Sequence, residues 1–221
     1  MLIVEALHLL LTTEAGTPEA WSQRNVAASA ALITDLVIAE RVTLSDEKRP
    51  RVQVISTQPT GNPVLDGALP LLAERDGKRL DSLVTWHKLD PRDAVVESLV
   101  QQGILEYGER TMLGMGAPKT PERNPEPEQM VRQRLAAVLA GERPPDIGDT
   151  TVLAILQAMN VAHKVLKEES GGLRAGQLKK RINEVVESSP AGTAVEKAVQ
   201  AMQVALMTAT TTAMMASGGS S

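Results

Sequence analysis

The chain has 221 residues, of which 43% are hydrophobic and 23% are charged, and it contains no cysteine. This length and hydrophobic content are sufficient to bury a sizeable core. Because there is no cysteine, disulfides and thiolate chemistry are excluded, and a reducing compartment such as the cytoplasm is expected. The chain has 23 lysine and arginine residues and 27 aspartate and glutamate residues. The resulting net charge of −4 argues against a broad nucleic-acid-binding surface, so any anion site must be local.

Both ends of the chain are apolar, but neither predicts a membrane span. Residues 1–13, MLIVEALHLLLTT, lack a positively charged start and a cleavage site, which favours a core helix over a signal peptide. The uncharged run after Lys197 is rich in Ala, Thr and Met, which favours a buried or groove-lying helix from about Thr193 over a transmembrane helix. We expect a single domain over residues 1–217 and a flexible tail at residues 218–221.

The first half of the chain predicts helices joined by two short β-hairpins. Residues 26–37 form an apolar helical face, and the strand-like VTL that follows can pair with RVQVIS. Asn62 and Pro63 have the residue types of a helix N-cap and first turn. Asp90 and Pro91 begin a second such helix, which Gly103 ends. The segments ILEY and RTMLGM then predict a hairpin around a turn at Gly108 and Glu109.

The second half predicts helices only. A Pro-rich, charged connection precedes three segments with helical periodicity, which are EQMVRQRLAAVLAG, DTTVLAILQAMNVAHKVL and LRAGQLKKRINEVVESS. The fold class is therefore mainly α. The helices and the hairpin between Asp66 and Lys119 also have the order of a winged helix, so a small winged-helix-like part is expected.

Several of these pieces, in this order, resemble the Golgi phosphoprotein 3 family. The matching segments are VEALHLLL, the Trp21 loop leading into SAALITDLVIAERVTL, QPTGNPVLDGAL, and RDAVVESLVQQGIL with the apolar hairpin after it. In eukaryotic members of that family, a tryptophan and several arginines bind phosphatidylinositol 4-phosphate. The resemblance implies a helical bundle wrapped by amphipathic helices, with a protruding β-hairpin. It also implies that Trp21 and Arg92 occupy two of these positions, and that the hairpin region contributes to self-association.

Two further pocket arginines of the family are absent from this chain. The resemblance places one near Ser29 or Ala30 and the other near Leu89, where the sequence has no arginine. Arg24 and Lys88 are the neighbouring cations that could substitute for them.

The candidate binding residues also have a physical basis. Trp21 lies beside Gly and Pro turn signals, and an indole suits the depth of lipid headgroups, although it could equally fold back on the domain. Arg92 lies in a first helical turn, where backbone N–H groups and the helix dipole favour an anion. The alternative for Arg92 is neutralisation by Asp90 and Asp93. Trp86 is expected to pack against the core.

The end of the second hairpin is unusually apolar for a protrusion. Met112, Leu113 and Met115 could enter a bilayer shallowly or contact a second copy of the chain, and packing on their own domain is the third alternative. The basic run LRAGQLKKR most simply forms a solvated helix face.

Catalysis finds little support in the sequence. The three histidines have no metal-ligand partner at helical spacing, and there is no nucleophile elbow or phosphate loop, so no enzyme activity, metal or cofactor is expected. The favoured function is a cytoplasmic, peripheral membrane adaptor for an anionic phospholipid, phosphatidylinositol 4-phosphate by resemblance. A winged-helix DNA-binding regulator and a protein adaptor that ignores lipid remain the alternatives. The acidic net charge counts against nucleic acid as a partner.

Overall fold

The computed structural model describes residues 1–17, 24–108 and 119–188. These residues form nine α-helices, one 3₁₀ turn at His87–Leu89 and a two-stranded antiparallel sheet. In chain order the elements are α1 (Ile3–Leu10), α2 (Arg24–Ile38), β1 (Val42–Leu44), β2 (Val52–Val54), α3 (Pro63–Ala73), α4 (Leu80–Val84), α5 (Arg92–Gln101), α6 (Glu126–Ala140), α7 (Ile147–Ala158), α8 (Ala162–Val165) and α9 (Ala175–Glu187). The mainly helical fold class is confirmed.

Three helices, α1, α2 and α7, form the centre of the core. Most of their residues are buried, and α2 is buried almost continuously from Ala27 to Val37. The helices around them bury only one face, as α9 does with Leu178, Ile182 and Val185. A buried helix needs apolar residues on all sides, whereas an outer helix needs one stripe, and the sequence follows this difference. The expected arrangement of a bundle with amphipathic outer helices is therefore present.

A buried carboxylate from α2 fixes the start of α1. The two oxygens of Asp35 accept hydrogen bonds from the backbone N–H groups of Ile3, at 2.9 Å, and Val4, at 3.0 Å. One turn later, Glu5 is also buried and accepts a hydrogen bond of 2.8 Å from Ser98 on α5. These bonds satisfy N–H groups that no helix can satisfy by itself, and they join α1 to α2 and α5.

Local signals in the sequence place the other boundaries. The Asn62 side chain accepts a hydrogen bond of 3.0 Å from the Val64 N–H and thereby caps α3. At the other end of the unit, Gly103 has a φ of 71°, and the next N–H bonds back to the Leu99 carbonyl at 2.9 Å. This is the left-handed helix ending for which glycine is preferred. The first hairpin is also confirmed, because Val42 pairs with Val54.

The structure corrects one predicted helix. The segment DTTVLAILQAMNVAHKVL does not form one helix, because α7 ends at Ala158 and α8 begins at Ala162. Between them, Asn160 has a φ of 58°, a left-handed conformation that asparagine tolerates better than most residues and that ends a right-handed helix.

The structure describes only the base of the second hairpin. The Glu106 N–H donates to the Pro121 carbonyl at 3.1 Å, and the Gly108 N–H donates to the Lys119 carbonyl at 2.9 Å. ILEY and Gly108 therefore pair with residues 119–122, a pairing that the sequence did not predict. The segment at residues 109–118 and the helix predicted from about Thr193 lie outside the described residues.

Candidate functional site

Three helices enclose a small pocket with three nitrogen-bearing side chains. Helix α1 contributes His8, α2 contributes Arg24 and α5 contributes Arg92. The other lining residues are apolar: Val4, Leu7, Leu11, Ala28 and Val95. The cavity between them has a volume of about 10 Å³, which is room for one water molecule or one phosphate oxygen. A larger group must therefore lie at the entrance.

Arg92 is the first residue of α5, and Arg24 is the first residue of α2 that the structure describes. The positive end of the α5 dipole therefore lies at this pocket. The Nη2 group of Arg24 donates a hydrogen bond of 3.0 Å to the Thr12 hydroxyl. Two guanidinium groups and the N-terminus of α5 form a local site of positive potential on a chain with a net negative charge.

Arg92 is partly neutralised, as the sequence allowed. Its Nε donates to a carboxylate oxygen of Asp90 at 2.7 Å, and its backbone N–H donates to the other oxygen at 3.2 Å. The Arg92 side chain is nevertheless 53% exposed. The Asp90 side chain is only 12% exposed, so the guanidinium of Arg92 is the accessible partner of this pair. The ion pair uses Nε, and the two Nη groups are not part of it.

His8 is a neutral base between these cations. Burial lowers the pKa of His8 to about 4, and the positive charges of Arg24 and Arg92 act in the same direction. The imidazole is therefore uncharged at neutral pH. Its Nε2 is buried, and no hydrogen-bond partner for it occurs among the residues that the structure describes.

Of the sequence-predicted binding residues, Arg24 and Arg92 come together and Lys88 does not join them. Lys88 is exposed on the 3₁₀ turn and does not line the pocket. Trp21 and the hairpin residues Met112, Leu113 and Met115 lie outside the described residues.

Trp86 packs on the protein itself, as predicted. Its ring lies against the core, and the Arg75 guanidinium carbon is 4.4 Å from the ring centroid. This distance allows a cation–π contact. Trp86 is therefore a structural residue of the described part of the chain.

The positions without the family's expected arginines are neighbours in the fold. Ser29 and Leu89 are both buried, and the Ser29 hydroxyl donates a hydrogen bond of 3.4 Å to the Leu89 carbonyl. Ala30 beside them is also fully buried. That region is packed with small and apolar side chains, and the arginines that line the pocket are Arg24 and Arg92.

The base of the second hairpin and the loop after α1 are joined directly. The Thr120 N–H donates to the Gly16 carbonyl at 3.3 Å, and the Glu122 N–H donates to the Glu14 carbonyl at 3.1 Å. Gly16 has a φ of 70° and approaches the Thr120 backbone too closely for any side chain. Residues 14–16 and 120–122 therefore form one hydrogen-bonded framework. The loop towards Trp21 and the hairpin towards Met112 both begin at this framework.

A second, larger cleft has the opposite charge. It has a volume of about 530 Å³ and is lined by more carboxylates than cations, with Glu122, Glu128 and Glu169 around Arg132. Burial, followed by the Glu128 carboxylate, raises the pKa of Glu122 to about 7. This potential repels anions, so the smaller pocket is the better anion site. Within the described ranges, no group of three or more His, Asp or Glu side chains is placed to hold a metal ion.

His8 is the pocket residue that the sequence did not single out for anion binding. The only signal was a histidine within an otherwise apolar helix, VEALHLLL, where a polar ring requires a partner or a function. Its approach to Arg24 and Arg92 depends on the packing of α1 against α2 and α5, which spacing along the chain does not encode.

None of the helices in the described part of the chain is long and apolar enough to span a bilayer. No curated protein matches the sequence. The model of the family described as Golgi phosphoprotein 3 (GPP34) matches residues 3–202. Because this match extends over nearly the whole chain, including α1, α2, α5 and the hairpin base, the protein belongs to the Golgi phosphoprotein 3 family.

Proposed function

We propose that the protein is a non-catalytic peripheral membrane adaptor that binds an anionic lipid headgroup at the pocket of Arg24 and Arg92. By resemblance, the headgroup is that of phosphatidylinositol 4-phosphate. The observation that carries this proposal is the meeting of two arginines, one of them at the N-terminus of α5, next to a cavity that admits one phosphate oxygen.

The framework at Gly16 and Thr120 supports a membrane-facing orientation. Residues 18–23, which include Trp21, connect this framework to Arg24 at the pocket, and the hairpin leaves the same framework. Trp21, Met112, Leu113 and Met115 would supply interfacial contacts, while the arginines hold phosphate. Each arginine near an anionic surface contributes about 1 kcal/mol, so two cations give a modest affinity that self-association through the hairpin would increase.

The test is co-sedimentation with neutral vesicles, phosphatidylserine vesicles and phosphatidylinositol 4-phosphate vesicles, the last two matched in surface charge. We expect selective binding to the phosphoinositide, reduced about tenfold or more in Arg92→Ala because a charge-assisted hydrogen bond is lost. Trp21→Ala should also weaken binding. Arg51→Ala is the matched control, because Arg51 is similarly exposed, at 47%, and is also paired with a carboxylate.

The remaining outcomes separate the other functions. Equal binding to both anionic vesicles, with equal losses in Arg92→Ala and Arg51→Ala, would reduce the interaction to surface charge. Binding to no vesicle would reject the lipid proposal and favour an adaptor that recognises proteins only.

A further inference from the structure

The pocket contains a buried polar atom without a described partner. His8 Nε2 is buried and accepts or donates no hydrogen bond among the residues that the structure describes. Native proteins rarely leave such an atom unsatisfied, and an exception in a binding pocket indicates a missing partner. The pocket opening beside it admits one small polar atom, since its volume is about 10 Å³.

The charged groups around His8 are cationic. Arg24 faces it from α2 and Arg92 from α5, and both lower the pKa of His8. Glu5, one turn earlier on α1, is engaged by Ser98 and Gln102. Helices α6 and α7 also pack on α1, but they contribute no residue to the lining. Burial, followed by these two guanidinium groups, therefore disfavours a protonated His8, and a bound anion would offset the repulsion from the arginines.

We infer that His8 is a third ligand of the phosphate group held by Arg24 and Arg92, and that it binds this group as an imidazolium through Nε2–H. This inference rests on the proposed anion-binding function. One phosphate oxygen enters the cavity next to Nε2, while the rest of the group lies at the entrance with the two guanidinium groups. Binding takes up one proton from solvent, and no covalent bond is formed or broken.

The same charge balance selects a class of ligand. A phosphomonoester carries nearly two negative charges at neutral pH, whereas a phosphodiester carries one. Together with Arg24 and Arg92, a phosphodiester leaves a net positive charge at the site, whereas a phosphomonoester leaves almost none, so the monoester is the better partner for a third cation at His8. The site should prefer lipids with a terminal phosphate, such as phosphatidylinositol 4-phosphate, over phosphatidylserine. Its affinity should also rise as the pH falls, by thermodynamic linkage.

Nuclear magnetic resonance of ¹⁵N-histidine-labelled protein reports the inference directly. The chain has three histidines, and His87 and His163 are exposed, so they are internal controls. Upon saturation with inositol 1,4-bisphosphate, the soluble headgroup, we expect the pKa of His8 to rise from about 4 to near neutral, a shift of about three units. Three units correspond to about thousandfold tighter binding of the headgroup to the protonated form. His87 and His163 should not shift.

Two ligand arms identify the source of the phosphate. If inorganic phosphate produces the same change in His8 as the headgroup at equal concentration, the site recognises the phosphate group alone. A change with the headgroup only, reproduced by phosphatidylinositol 4-phosphate vesicles, assigns the lipid. Both results support a protonated His8 ligand.

The variant His8→Gln keeps a polar side chain but cannot be protonated. Between neutral pH and about pH 5.5, the headgroup affinity of the wild type should rise relative to that of His8→Gln by about tenfold. The comparison with His8→Gln removes the part of the pH dependence that the two proteins share. If the headgroup binds and Arg92→Ala abolishes that binding, but the pKa of His8 does not change and the wild type and His8→Gln have equal pH profiles, the inference is overturned and the proposed function stands. Absence of headgroup binding in the wild type would overturn both.

Discussion

Replacing Gly16 by alanine tests the framework that joins the loop after α1 to the hairpin base. A Cβ at Gly16 would lie 2.2 Å from the Thr120 carbonyl carbon, 2.3 Å from the Pro121 nitrogen and 2.5 Å from the Thr120 nitrogen. These are backbone atoms, so no rotamer change relieves the contact. The φ of 70° adds strain for any residue with a side chain. One of the two backbone segments must move away.

The cost can be worked from the bonds that this movement breaks. A left-handed conformation costs an alanine about 1 kcal/mol. Separating the segments breaks the bonds from Thr120 to Gly16 and from Glu122 to Glu14, at about 1 kcal/mol each. The free energy of unfolding should therefore fall by about 3 kcal/mol, which lowers the Tm of a domain of this size by roughly 6–12 °C.

Gly171→Ala is the matched control. Gly171 has a φ of 59°, and no atom lies within 4 Å of a Cβ built there, so it isolates the conformational cost. Its Tm should fall by roughly 2–4 °C, and the lost unfolded-state entropy is the same for both variants. Thermal and urea unfolding followed by circular dichroism measure the difference. Equal losses of stability in the two variants would refute the close approach of Gly16 to Thr120.

Two other predictions concern buried carboxylates. Asp149 is fully buried and accepts hydrogen bonds from Arg134, at 2.7 Å, and Arg143, at 2.9 Å. Asp149→Asn should lower the free energy of unfolding by about 3 kcal/mol in urea denaturation, and a loss below about 1 kcal/mol would contradict a stabilising role for this ion cluster. Burial raises the pKa of Asp35 to about 7 from its usual 3.8, despite two backbone N–H donors. The folded state therefore binds the Asp35 proton more tightly than the unfolded state, so the contribution of Asp35 to stability is fully present below about pH 4 and is lost as the pH rises towards 7. Between about pH 5 and 7, the free energy of unfolding of the wild type should fall by about 2–3 kcal/mol more than that of Asp35→Asn. Equal pH profiles of the two proteins would reject this assignment.

Local sequence signals were sufficient for most helix boundaries. The caps at Asn62 and Gly103 depend on residues within one turn, and a capping side chain or a left-handed glycine acts over that distance. The three-to-four spacing of apolar residues likewise predicted the buried face of α2. The break at Asn160 was missed because apolar periodicity continues across it, while the backbone conformation that ends α7 is not visible in that pattern.

Long-range pairing could not be read from the same signals. ILEY can pair with either RTMLGM or residues 119–122 as far as alternation is concerned. The pairing with residues 119–122 is favoured because the N–H groups of Thr120 and Glu122 also donate hydrogen bonds to the carbonyl oxygens of Gly16 and Glu14. Those hydrogen bonds join residues more than 100 positions apart, and no local propensity encodes them.

The sequence by itself determined a mainly helical, cysteine-free chain of the Golgi phosphoprotein 3 family and named Arg24 and Arg92 as candidate phosphate ligands. Only the tertiary structure decided that these two arginines share a pocket, that Lys88 does not join them, and that His8 completes it. The physical reason is that helix caps and amphipathic faces depend on residues within a few positions of one another. The pocket, in contrast, is produced by the packing of α1, α2 and α5, which depends on the whole core.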